Sequence, residues 1–276
     1  MRIAVLSGKG GTGKTTVAAS LAYAVKTSQY IDCDVEEPNG NIFLKAVLSE
    51  SEVVHVPVPE VDVNLCNGCG ECARACQFNA MAVINKEVLI FEELCHSCGA
   101  CVIACPVKAI HEKKRPLGVI SANCSHTFIQ GALNLNELMS VPIIRRLKEK
   151  MNQHSHVILD SAPGASCTVV NTIEDCDYCI LVTEPTPFGL HDLKIAVELV
   201  KKAELPFGVI VNKAMNENQT IKEFCHENNI EIIMEIPFQK EIAVNYSKGL
   251  LPVQYDIEWK KKFNELFRNI ERSLEA

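Results

Sequence analysis

Gly8-Lys9-Gly10-Gly11-Thr12-Gly13-Lys14-Thr15-Thr16 follows the apolar run Ile3-Ala4-Val5-Leu6 and opens a helical pattern over 15–26. The spacing matches G-x-x-x-x-G-K-[ST], a phosphate loop. Its glycines reach backbone angles that turn successive N–H groups onto phosphate oxygens. The helix that follows adds the partial positive charge of its N-terminus. Lys14 is expected to reach the β- and γ-phosphates of ATP, and the Thr15 hydroxyl to bind Mg²⁺. Gly8, Gly10, Gly11, Thr12, Gly13 and Thr16 complete the expected cradle. The same glycines also satisfy G-x-G-x-x-G, with Asp32 about twenty residues on, as in dinucleotide sites. A lysine and a hydroxyl directly after the last glycine suit a triphosphate better. Asp32 and Asp34 read as a carboxylate pair for metal-bound water and not for a ribose.

Outward from this loop, short apolar runs at 3–6, 30–32, 157–160, 179–183 and 208–212 read as buried strands. Helical patterns at 15–26, 142–152, 190–203 and 220–228 alternate with them. That rhythm predicts an α/β P-loop NTPase fold, a mainly parallel sheet with helices on both faces. Val157-Ile158-Leu159-Asp160 has the form of an apolar strand ending in a carboxylate that holds Mg²⁺. The turn Ser161-Ala162-Pro163-Gly164 stands where a γ-phosphate is sensed. Asn212, at the end of another strand, is positioned to read the adenine edge.

One stretch breaks the rhythm. Between Pro57 and Arg115 cysteines are dense and no long helical period exists, so 57–115 reads as an insertion between ATPase parts at 1–56 and 116–276. Cys66-x₂-Cys69-x₂-Cys72-x₃-Cys76 and Cys95-x₂-Cys98-x₂-Cys101-x₃-Cys105-Pro106 are two copies of the bacterial ferredoxin run. Three thiolates at two-residue gaps wrap corners of an iron–sulfur cube, and the fourth points to the other cube. Cys66, Cys69, Cys72 and Cys105 are therefore assigned to one [4Fe–4S] cluster, and Cys95, Cys98, Cys101 and Cys76 to a second. Zinc also takes thiolates, but its sites usually use two separated cysteine pairs. Gln77 stands where the pattern has proline, which is expected to loosen that loop without removing a ligand.

The Lys-Gly-Gly-Thr-Gly-Lys-Thr-Thr stretch, with its extra Lys9, resembles the deviant P-loop of the MinD/ParA/Mrp ATPases and the nitrogenase iron protein. With the cysteine runs and Thr183-Glu184-Pro185-Thr186-Pro187-Phe188-Gly189-Leu190, the chain looks like MinD-superfamily ATPases that carry an inserted ferredoxin domain. The resemblance implies that Lys9 crosses a dimer interface to a partner's nucleotide. It implies that Asp34 lies in a first switch that positions the attacking water, and that Asp160 opens a second switch. Cys167 lies at the offset from Asp160 at which the nitrogenase iron protein has a ligand to a subunit-bridging cluster. Cys124 is a candidate second ligand for such a cluster.

The net charge of −7 and the shortness of basic runs such as Lys113-Lys114-Arg115 argue against a nucleic-acid partner. No apolar run approaches the ~20 residues that span a bilayer, and no signal peptide is evident, so a cytoplasmic protein without membrane insertion is expected. Fourteen cysteines in such a chain point to metal or redox chemistry. Cys176-x-x-Cys179 reads as a structural pair, and Cys33 and Cys225 carry no pattern. Residues 257–274 carry apolar side chains at helical spacing, read as a helix docked on the sheet in preference to a membrane surface. The expected function is a partner-dependent ATPase that gates electron transfer, as an ATP-dependent homodimer or a heterodimer with a related ATPase. Its further partner would be a redox protein. The alternative is an Mrp-type iron–sulfur carrier acting on an apo-protein, and a ParA-like spatial organiser comes third.

Overall fold

The computed structural model describes residues 1–215 and 219–275. The chain begins with β1 (Arg2–Leu6), α1 (Lys14–Ala24), β2 (Ser28–Asp32), α2 (Gly40–Leu44) and the long β3 (Glu50–Val61). The cysteine-rich part follows, as α3 (Glu71–Ala75), the hairpin β4 (Met81–Ile84) and β5 (Glu87–Ile90), and α4 (Ala100–Ala104). The chain returns through β6 (Ile110–Ala122) and β7 (Phe128–Leu133), then α5 (Val141–Lys148), β8 (His156–Asp160), α6 (Cys167–Ile173) and β9 (Tyr178–Thr183). It closes with α7 (Pro187–Lys202), β10 (Phe207–Ala214), α8 (Gln219–Glu227), β11 (Ile232–Pro237), α9 (Lys240–Tyr246), α10 (Pro252–Tyr255) and α11 (Ile257–Glu275).

Nine strands form one sheet in the order β11-β10-β9-β1-β8-β2-β7-β6-β3. Pairing is parallel from β11 through β7 and antiparallel at β7–β6 and β6–β3. Central strands are buried on both faces, which is why they read as unbroken apolar runs. On β1, Ile3 and Val5 join the core under α1 and α11, while Ala4 and Leu6 join the core under α5 to α8. α11 lays Trp259, Phe263, Leu266, Phe267 and Ile270 against the first of these cores. Burying such side chains is worth ~1.5–3 kcal/mol each, so the apolar stripe of this helix is spent on the protein itself. Among the described residues no helix is long and apolar enough to cross a membrane.

The expected strands and helices all form, within a few residues at their ends. Strands β3, β6, β7 and β11 and helices α2, α6, α9 and α10 lacked a sequence signal. β3 and β6 matter most. They pair from Glu50↔Ala122 to Val61↔Ile110, with one irregularity at Val54/His55. β7 accompanies β6 only from Gly118 to Ala122. Residues 110–117 therefore have β3 as their sole sheet partner and project roughly 25 Å, at ~3.3 Å per residue. This two-stranded arm leaves the sheet at the carboxyl ends of the parallel strands and carries the cysteine-rich part. The boundaries placed at 57 and 115 fall inside β3 and β6, where Pro57 pairs with Lys114. Proline fits there because β3 is the sheet edge.

Candidate functional site

The phosphate loop joins β1 to α1 at the carboxyl edge of the sheet, with Gly11 (φ 79°) and Gly13 (φ 93°) in the left-handed region. A Cβ on Gly13 would lie 2.1 Å from the Asn212 amide nitrogen, so only glycine fits under that side chain. Asn212 donates to the Thr12 carbonyl at 2.7 Å and so braces the loop. A cavity of about 400 Å³ opens here, lined by Lys9, Gly10, Gly11, Gly13, Lys14, Thr15, Thr16, Asp34, Asn212 and Lys213. Its apolar wall includes Ile236, Pro237 and Phe238 from the end of β11. Gly8 and Thr12 do not line it; a Cβ on Gly8 would strike Asp192 of α7. Thr12 Oγ1 and Ser161 Oγ are buried and have no hydrogen-bond partner. Buried hydroxyls are seldom left so, and phosphate with hydrated Mg²⁺ suits the pair.

Lys14 donates to Asp160 Oδ1 at 2.7 Å and stands 3.6 Å from Asp34 Oδ2. Burial works against its ammonium, but Asp160, then Asp34 and Asp32, outweigh that and hold its pKa above the usual lysine value. The other oxygen of Asp160 accepts from the Tyr30 hydroxyl at 2.8 Å. Burial and the Asp160 charge push the Tyr30 phenol well up. Asp34 is also raised by burial, against the pull of Lys14.

Asp32 plays a different part from the one read for it. It is fully buried, and its oxygens accept from the N–H groups of Asp34, Asn39 and Gly40 at 3.2, 3.1 and 2.9 Å. It ties down the 34–40 loop and does not pair with Asp34 for water. Burial, then the Asp160 charge, raise its pKa to about 8. Lys9 donates to Glu184 Oε1 at 2.5 Å, within its own chain. Lys213 donates to the other Glu184 oxygen at 3.0 Å and to the Gly11 carbonyl at 2.9 Å. Burial opposes ionisation of Glu184, but the two lysines prevail and lower its pKa. Glu184 and Tyr30 were missed as site residues. The available signal was that Glu184, like Asp160, is a carboxylate at the carboxyl end of a buried strand.

The two cysteine runs fold alike. Gly68 (φ 68°) and Ser97 (φ 54°) occupy equivalent left-handed positions, and Gly70 (φ 79°) and Gly99 (φ 72°) precede α3 and α4. Asn79 (φ 54°) and Lys108 (φ 53°) match in the same way. The loop with Gln77 has the same left-handed positions as the loop with Pro106. Two pockets lie between the runs. One is lined by Cys66, Cys69, Cys72 and Cys105, with Val88, Val107 and Ile110. The other is lined by Cys76, Cys95, Cys98 and Cys101, with Pro57, Phe78 and Met81. Backbone N–H groups meet sulfur at Ser97→Cys95 (3.5 Å) and Ala109→Cys105 (3.2 Å). Among the described residues no three His, Cys, Asp or Glu side chains converge as ligands of a single ion. Thiolates around a cube stand at its corners and need no such convergence, so the donor set fits two cubane clusters.

The other cysteines are free of disulfides. Cys33, Cys176, Cys179 and Cys225 are buried, and burial raises each thiol, Cys176 to about 12 and Cys225 to about 11. Cys167 is exposed where α6 begins, beyond the carboxyl end of β8. Cys124 is exposed in the β6–β7 turn, whose neighbour Phe128 starts β7 beside Tyr30. The two lie at opposite ends of the sheet. Symmetry-related copies of both cannot meet at one bridging cluster on the nucleotide face, so Cys124 drops out as a partner of Cys167.

A model of the CobQ/CobB/MinD/ParA nucleotide-binding domain matches residues 3–253. An uncharacterised protein of Methanocaldococcus jannaschii is 30% identical over 280 residues, covering 93% of each chain. An iron–sulfur cluster carrier protein of Pyrococcus horikoshii is 25% identical over 241 residues, covering 85% of this chain and 67% of its own. Among solved structures, the septum site-determining protein MinD of Pyrococcus horikoshii with Mg-ADP aligns at a TM-score of 0.58 and 19% identity, covering 96% of this chain and 93% of its own.

Proposed function

The chain belongs to the CobQ/CobB/MinD/ParA nucleotide-binding family of P-loop ATPases, and from that premise we propose that it couples ATP hydrolysis to electron transfer through two [4Fe–4S] clusters. Lys14 leaves Asp160 for the β- and γ-phosphates. Thr15 and the freed Asp160 oxygen would hold Mg²⁺, which when bound would neutralise phosphate charge. Asp34, beside Lys14, orients the attacking water, and the P-loop amides stabilise the phosphoryl charge. Lys9, once parted from Glu184, bridges to the nucleotide of a second copy or of a related ATPase. Asn212 keeps Thr12 and Gly13 in register and borders the adenine slot. The eight cysteines of the inserted 57–115 domain hold the clusters, which when bound supply one-electron carriers.

A single observation carries the reading. Two pockets with four cysteines each stand on an arm that leaves the sheet at the nucleotide edge. The test is anaerobic purification, iron and sulfide analysis, and EPR with and without ATP and Mg²⁺. The expected result is two cubane signals, at least one of which changes with nucleotide. Zinc in place of iron, or no retention of ATP with Mg²⁺, overturns it.

The relatives named as iron–sulfur cluster carriers favour a second reading, in which the clusters are cargo. Incubation with an apo-ferredoxin separates the two. Loss of iron from this protein, matched by gain in the acceptor, marks a carrier; retention marks fixed wiring. Complete four-thiolate coordination of each cluster supports wiring, because it leaves no open exit position.

A further inference from the structure

We propose that the Ser97 hydroxyl donates a hydrogen bond to the sulfurs of the cluster held by Cys76, Cys95, Cys98 and Cys101, and so raises the reduction potential of that cluster alone. The inference rests on reading those cysteines as cluster ligands. Ser97 lines their pocket, between Cys95 and Cys98 in the chain. Its N–H meets Cys95 Sγ at 3.5 Å. Its Oγ is buried and has no hydrogen-bond partner among the described residues. A hydroxyl always carries one donor, and buried donors are seldom left idle. In a pocket walled by four cysteines, the acceptor that suits this donor is sulfur, and hydrogen bonds to sulfur are one of the terms that set a cluster's potential.

The backbone supports the same role independently. Ser97 holds φ 54°, in the left-handed region, where a residue other than glycine is strained. The matching position of the other run is Gly68, at φ 68°, where no such strain arises. Glycine is required there, since a Cβ on Gly68 would lie 2.5 Å from Lys86 Cβ. One run therefore accepts strain and gains a hydroxyl, and the other has no side chain at that place. The polar side chains that line the other pocket, Asn67 and Glu71, are exposed and engaged elsewhere. Asn67 accepts from Cys69 N–H at 3.2 Å, and Glu71 accepts from Arg74. Burial gives the donor its use. Cys95 and Ala80 belong to the same core as Leu117, Ile143 and Leu147 of the ATPase part, whereas Cys72 belongs to a separate small core with Met81 and Ile110. The pocket of Ser97 is thus the inner one and the other the outer. Reduction adds a negative charge, which burial disfavours. A hydrogen bond to an anionic acceptor strengthens as the charge grows. Ser97 thereby offsets burial and keeps the inner cluster able to exchange one electron with the outer, one being oxidised as the other is reduced.

The test measures both midpoint potentials by EPR-monitored titration of the anaerobically purified full chain. Cys98→Ala and Cys69→Ala, each lacking one signal, tell the inner cluster from the outer. In Ser97→Ala the inner potential is expected to fall by about 59 mV, a roughly tenfold loss in the reduction equilibrium for one electron, while the outer potential stays. Ser97→Gly removes the hydroxyl and the strain together, and is expected to keep both clusters and show the same fall. A serine kept only for its turn would leave the potential in place. Pulsed EPR of the inner signal after exchange into D₂O should show one strongly coupled deuteron fewer in both variants than in the wild type. Two clusters whose potentials ignore both variants overturn the role of Ser97 and leave the cluster assignment standing. Equal shifts of the two clusters overturn it as well, because the hydroxyl then acts on the fold of the inserted domain. Zinc in place of iron, or no metal at all, overturns the cluster reading and this inference together.

Discussion

Lys14 is the residue on which the phosphate site turns. It is the cation facing Asp160, Asp34 and, at longer range, Asp32, all partly or fully buried. Removing one partner of a buried ion pair costs about 3–5 kcal/mol, because the other charge is left alone. Lys14→Met is therefore expected to lower stability of the nucleotide-free protein by that amount and to abolish ATP retention. Adding Asp160→Asn should restore most of the stability and none of the ATP binding. Denaturant unfolding and equilibrium dialysis read the two effects separately; a single variant as stable as wild type would contradict the pairing. Asp32 makes a pH prediction. Its folded pKa of about 8 lies above the ~3.9 of an unfolded aspartate. Between those values the folded chain keeps a proton that the unfolded chain releases. Stability therefore falls as pH rises through the window and levels above about 8. The melting temperature should drop from pH 6.5 to pH 8.5, and Asp32→Asn should flatten that slope. At this scale the sequence exposed groups whose partners are local. The P-loop and the cysteine runs announce themselves through spacing. Glu184 and Tyr30 do not, because their partners lie 175 and 130 residues away and no short pattern links them.

At the scale of elements, the two cysteine loops are one design used twice. Their left-handed positions coincide from Gly68 and Ser97 through Asn79 and Lys108. The pockets between them draw three cysteines from one run and the fourth from the other. The crossed ligation proposed for these cysteines makes a combinatorial prediction. Cys66→Ala with Cys105→Ala should remove one cluster and about half the iron. Cys66→Ala with Cys76→Ala should strip both clusters, because those two residues serve different cubes. If ligation followed sequence order, the outcomes would exchange. Iron analysis and EPR of anaerobically purified variants decide between them. β1, β8, β9 and β10 were legible because burial on both faces makes their middles nearly continuous apolar runs. β3 and β6 were not. As an edge pair with one wet face they carry Pro57, Pro59 and the Lys113-Lys114-Arg115 run, which protect an edge and hide a strand. The cysteine content marked an insertion, but the junction is a strand pair that crosses it without a break.

At the scale of the whole molecule, the proposed self-association turns on where Lys9 is held. In the single chain it is clasped by Glu184, which also holds Lys213 against Gly11. A lysine so engaged cannot extend to a second copy. Two copies also repel through a net charge of −7 each, so the proposed association relies on contacts that ATP completes. Glu184 is 14% exposed and Lys9 32%, so their pair is partly screened and worth about 1 kcal/mol. Releasing Lys9 should then favour the dimer by roughly five-fold. Glu184→Gln keeps the shape and weakens the clasp, and is expected to tighten ATP-dependent self-association by about that factor. Lys9→Ala is expected to abolish self-association while ATP is still retained through Lys14. Asp34→Ala is expected to slow hydrolysis, on the role proposed for Asp34, and so to prolong the dimer. Light scattering with ATP and Mg²⁺ resolves the 30.5 kDa chain from a species of twice that mass. If Lys9→Ala dimerises as the wild type does, Lys9 does not bridge copies. If Glu184→Gln leaves the association constant unchanged, Glu184 is a brace for the loop and not a latch.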